Sequence, residues 1–66
     1  MKNFHKWPEE ALKRRIESLK FDIEDWERIL SQTNSVLITM CLEHYIEKAR
    51  NEIHAINAEL FYRANH

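Results

Sequence analysis

The stretch Ile29-Leu30-Ser31-Gln32-Thr33-Asn34-Ser35-Val36-Leu37 decides how this chain folds. Its centre, residues 31–35, is a run of five polar residues in a sequence that otherwise favours helix throughout. Asn34 suits the left-handed conformation that closes a helix. Thr33, Asn34 or Ser35 can cap the helix that follows. The chain has no glycine, and Pro8 is its one proline, so no other segment offers comparable turn chemistry.

Reading outward from this break, both flanks carry the same periodicity. On the N-terminal side, Leu12, Ile16, Leu19, Ile23, Trp26 and Leu30 recur at alternating steps of four and three. On the C-terminal side, Leu42, Ile46, Ala49, Ile53, Ile56 and Leu60 do the same, widened by Ile38 and Tyr45. Such spacing is a heptad stripe, the seam along which helices pack side by side. Pro8 suits a first helical turn, and Glu9 and Glu10 then complement its positive end. We therefore predict helix 1 over about residues 8–31, a turn at 32–34 and helix 2 over about 35–64. A short connection makes the two antiparallel neighbours. The expected fold is all-α, an antiparallel two-helix hairpin with coiled-coil-like packing.

With the turn centred between Gln32 and Thr33, Leu12 faces Ile53, Ile16 faces Ala49, Leu19 faces Ile46 and Ile23 faces Leu42. Stripe meets stripe at every level, and the bulky Ile16 meets the small Ala49, as interdigitation requires. Ile56 and Leu60 then overhang helix 1, level with Glu9 and His5. Residues 1–7 form an aromatic arm, with Trp7 driven towards extended backbone by Pro8. Phe4 and Trp7 are placed to fold back over helix 2 near Leu60 and Phe61.

Sixty-six residues make one small domain, which is hard to stabilise alone. Cys41 is the single cysteine, so an internal disulfide is impossible. A lone cysteine fits a reducing, cytoplasmic setting. No apolar run follows the basic residues of the first ten positions, which argues against a signal peptide. The longest mostly apolar stretch, residues 36–42, falls well short of the about 20 needed to span a membrane.

That stretch also makes helix 2 apolar nearly all round at its start, and such a segment needs neighbours on several sides. Phe21 and Ile29 lie outside the main stripe as well. A second heptad series, Leu37, Cys41, His44, Lys48, Asn51, Ala55, Ala58 and Tyr62, runs along helix 2. The simplest solution is a homodimer forming a four-helix bundle; docking onto a larger, different protein is the other. Candidate contacts are Val36, Leu37, Met40, Cys41 and Tyr45, with the aromatics Phe4, Trp7, Phe61 and Tyr62, since aromatics serve as binding anchors.

Chemistry is harder to find. His44 and Glu47 share a helical face, but a metal site in a bundle needs ligands converging from several helices. Asp22, Glu24, Asp25 and Glu27 form an acidic cluster without an evident pocket, and Glu24 is spaced to pair with Arg28. Cys41 has His44 one turn away, yet its apolar surroundings favour inert packing. No catalytic, cofactor-binding or metal-ligating residue is nominated, and the expected protein is not an enzyme. Lys13, Arg14, Arg15 and Lys20 form a basic patch on helix 1, with Lys6 nearby. The expected function is a protein–protein interaction module (a regulator, inhibitor or assembly subunit) acting through helical bundle contacts. The alternative is a nucleic-acid-binding regulator that uses this basic patch. Ten Lys and Arg against eleven Asp and Glu lack the basic excess of a general nucleic-acid binder.

Overall fold

The computed structural model describes residues 3–65, so Met1 and Lys2 of the arm and the terminal His66 lie outside it. It contains a short 3-10 turn at Phe4–Lys6, helix α1 over Glu9–Gln32 and helix α2 over Val36–Ala64, with no strand among the described residues. The helices pack against each other as a two-helix hairpin in a rod 47 Å long.

Each boundary has a local cause. Pro8 has helical φ but extended ψ, so it caps α1 and stays outside it. Its carbonyl accepts the first helical bond, from the Leu12 amide at 3.1 Å. At the far end α1 runs one residue beyond the expected stop. The chain leaves it through Thr33, at φ −93° and ψ 144°, and no described residue has positive φ. Asn34 therefore does not take the left-handed conformation expected of it. Extended backbone at Thr33 and Ser35 makes the reversal, at no cost in backbone strain. The Thr33 hydroxyl accepts from the Ser35 amide at 3.2 Å, a local side-chain turn. Ser35 is the N-cap of α2, accepting from the Ile38 amide at 3.3 Å. Such a cap contributes about 1 kcal/mol.

The core consists of Leu12, Ile16, Leu19 and Ile23 from α1 and Leu42, Ile46, Ala49 and Ile56 from α2. Leu12 and Ile56 are the two fully buried large side chains, at 0% exposure. This corrects the expected register. With the connection centred on Asn34, Leu12 comes level with Ile56, one turn beyond Ile53, which is half-buried. Ile56 is thus part of the hairpin core and does not overhang it. The cross-helix pair Arg15–Glu52 fits the shifted register.

The arm folds back over the open end of the hairpin. Phe4 and Trp7 pack edge to face, 5.2 Å between ring centroids, and both lie against the core together with Leu60. Two residues of α2 fasten the arm. Glu59, buried at 9% exposure, takes a hydrogen bond from Arg63 Nε at 2.7 Å and lies 2.6 Å from His5 Nδ1. Arg63 Nη2 donates to the carbonyls of Trp7 at 2.6 Å, Phe4 at 3.1 Å and His5 at 3.3 Å. A guanidinium thereby gathers three carbonyls around the 3-10 turn, that of Phe4 shared with the Trp7 amide at 3.1 Å. Replacing Arg63 by Ala removes these donors and leaves the Glu59 carboxylate under-satisfied. We expect a loss of about 1–3 kcal/mol, with faster amide exchange confined to residues 4–7. Unchanged exchange there would show that Phe4 and Trp7 hold the arm without the clasp.

Candidate interaction surface

The core thins towards the turn. Trp26 and Leu30 are only half-buried, and the Trp26 ring leans on Tyr45 at 5.8 Å. Beyond them the start of α2 stands in solvent. Val36 and Leu37 are 74% exposed and Met40 63%; Ile38, Tyr45 and Ile29 are about half exposed. Cys41, expected to pack in an apolar interior, is exposed too. One facing helix covers one stripe, and the residues off that stripe have nothing in this chain to cover them.

Several of these side chains share a side of the hairpin. The Arg15–Glu52 bridge marks that side. Ile29 stands two heptads along α1 from Arg15, and Tyr45 one heptad before Glu52, so both lie on it. Cys41 and Leu37 continue the Tyr45 row at steps of four. Monomeric proteins rarely expose contiguous apolar patches above a few hundred Å², and larger ones mark contact sites.

The aromatic candidates at the other end divide. Phe4 and Trp7 are used within the chain, against its own core. Phe61 is 71% exposed and Tyr62 54%, the latter edge-on to His5 at 6.4 Å between centroids. An open groove runs between the arm and α2 here, lined by Asn3, Phe4, His5, Ala55, Ala58, Glu59 and Tyr62. A second groove on the opposite flank, crossed by an Arg50–Glu27 contact at 3.3 Å, includes Leu30, Ile46 and His54.

The basic patch does not present itself as a set of unengaged cations. Arg15 forks onto Glu52, with Nε to one carboxylate oxygen at 2.5 Å and Nη2 to the other at 3.3 Å. That hydrogen bond is the main cause pushing the Arg15 pKa above its ordinary value, against a smaller opposing effect of burial. Lys13 lies 3.8 Å from Glu9, and Lys20 3.9 Å from Glu17. Arg14 is exposed. Arg28 takes Asp25 as its partner, at 3.0 Å, where Glu24 was expected. Among the described residues no group of three or more His, Cys, Asp or Glu side chains is placed to hold a metal ion. No helix is long and apolar enough to cross a membrane.

Glu59 and Arg63 are the structural residues that the heptad reading passed over. Their spacing of four was visible, as an ordinary surface pair. Contact of Glu59 with His5, 54 positions away in sequence, is announced by no local pattern. Comparison with known proteins adds no name to this surface: no protein-family model, no curated protein and no solved structure matches the chain.

Proposed function

We propose that this chain is a non-enzymatic protein–protein interaction module that works through helical bundle contacts, with a dimeric four-helix bundle as its assembled form. The observation that carries this reading is the solvent exposure of Val36, Leu37 and Met40 at the start of a helix that buries Leu42, Ile46, Ala49 and Ile56. Covering a large apolar side chain is worth about 1.5–3 kcal/mol. A hairpin that leaves several uncovered retains a strong drive to associate. A regulator, inhibitor or assembly subunit all act in this way, by occupying or completing a bundle.

The nucleic-acid alternative draws less support. Lys13, Arg15 and Lys20 each stand beside a carboxylate, and phosphate would have to displace it. Light scattering over a dilution series tests the main reading. We expect a mass above that of one chain, falling with dilution and little changed by salt. A folded monomer at every concentration would overturn the reading. Retention on an RNA or DNA duplex that collapses as salt rises would instead favour the basic patch.

A further inference from the structure

The turn-end patch and the groove beside the arm lie at opposite ends of α2, and each has what the other lacks. At the start of α2 apolar side chains protrude: Leu37, Met40 and Cys41. Near its end an open groove has the small residues Ala55 and Ala58 in its lining and Tyr62 beside them. Building on the interaction reading above, and replacing its closed bundle by a single layer of four helices, we infer that the partner is a second copy of this chain, docked antiparallel along the outer face of α2 so that the start of each helix enters the other's groove.

Three observations converge on this arrangement. The first is the second heptad series along α2, from Leu37 to Tyr62, in which all eight members are exposed. Antiparallel pairing about a two-fold axis between Lys48 and Asn51 sets Leu37 against the second copy's position 62 and Cys41 against its position 58. His44 then meets position 55, and Lys48 meets position 51. At two of the outer levels Cys41 and His44 each face an alanine, as close helix packing requires, and at the third Leu37 faces the ring of Tyr62.

The second observation is charge. Parallel in-register pairing would place two Lys48 ammonium groups against each other at the centre. The antiparallel register sets each lysine level with an asparagine and staggers the two Lys48 residues by three positions, about 4.5 Å along the helices. A polar residue inside a seam fixes register and orientation in this way. A slip of one heptad towards the C-terminus would set Cys41 against the polar Asn65 in place of Ala58.

The third is area. A stable interface covers about 800 Å² per partner. Each end of α2 offers two or three large apolar side chains, at about 150–250 Å² for an aromatic, roughly half of what is needed. Only a contact running the length of the helix joins both ends in one interface. The two-fold axis also closes it: each copy gives one patch and one groove, and none is left over to start a fibre.

The single cysteine provides the test. In this register the two Cys41 residues stand about 25 Å apart along the helices, far beyond the about 7 Å that a disulfide permits between Cα atoms. The wild-type chain should stay uncrosslinked in oxidised glutathione at concentrations where light scattering shows a dimer. Ala58→Cys should give a dimer joined by disulfide, since its two cysteines are too far apart to close within one chain. Asn57→Cys, one position round the helix, should crosslink at least tenfold more slowly. As a second measurement, Leu37→Ala and Tyr62→Ala should each raise the dimer Kd and together depart from additivity by threefold or more. A Cys41–Cys41 link in the wild type would overturn the antiparallel orientation. A dimer that fails both the Ala58→Cys link and the coupling would overturn the register while leaving the interaction reading in place. Mass growing beyond two copies would overturn closure, and a monomer throughout would remove the inference together with the reading it rests on.

Discussion

Replacing Ile56 by alanine is expected to bring the hairpin close to unfolding at room temperature. Ile56 is fully buried, level with the fully buried Leu12, and the rod is too slender to collapse around a void there. Large-to-small changes at such sites cost about 2–5 kcal/mol. A chain of this length has a total stability of about 3–10 kcal/mol. The melting temperature should fall by roughly 10 °C or more, since 1 kcal/mol moves a domain of this size by about 4–8 °C. Circular dichroism at fixed protein concentration checks it, with exposed Asn57→Ala as a control that should shift little. A melting point within a few degrees of wild type would show that the core is centred elsewhere.

Leu37→Lys should do the reverse, keeping the fold and breaking the assembly. Leu37 is 74% exposed in the single chain, so its replacement removes little that the hairpin itself uses. In a symmetric dimer the change occurs twice, and each lost burial is worth about 1.5–3 kcal/mol. The dimer Kd should therefore rise by at least about 100-fold, with helical content at low concentration unchanged. Sedimentation of the two proteins side by side reads this directly. An unaltered Kd would place the association surface away from the start of α2. Paired with Ile56→Ala, the two substitutions separate what holds the chain together from what holds copies together.

Much of the architecture is legible in the residues. Alternating steps of four and three announced both helices, and the polar run at 31–35 announced their junction. Two aromatics in a seven-residue arm, beside an apolar helix end, announced the fold-back onto Leu60. The register was not legible, because it depends on where the connection is centred. Within the polar run 31–35, moving that centre from between Gln32 and Thr33 to Asn34 changes the facing partner of Leu12 from Ile53 to Ile56. The buried Glu59 was not legible either. A glutamate off the stripe, one turn from Arg63, reads as solvated until the arm brings His5 to it. For the interaction surface, composition identified which residues carry excess apolar area. Only the packed hairpin shows that Phe4 and Trp7 spend theirs internally while Val36, Leu37 and Met40 do not.

The clasp between Arg63 and the arm also sets an order of events. Its hydrogen bonds join residues 56 to 59 positions apart. During synthesis the arm is made well before the side chain that fastens it. At about 5–20 residues per second, several seconds separate the synthesis of Phe4 and Trp7 from that of Arg63. Until then the arm has no clasp, and the turn of α2 that carries Arg63 is the latch that closes it.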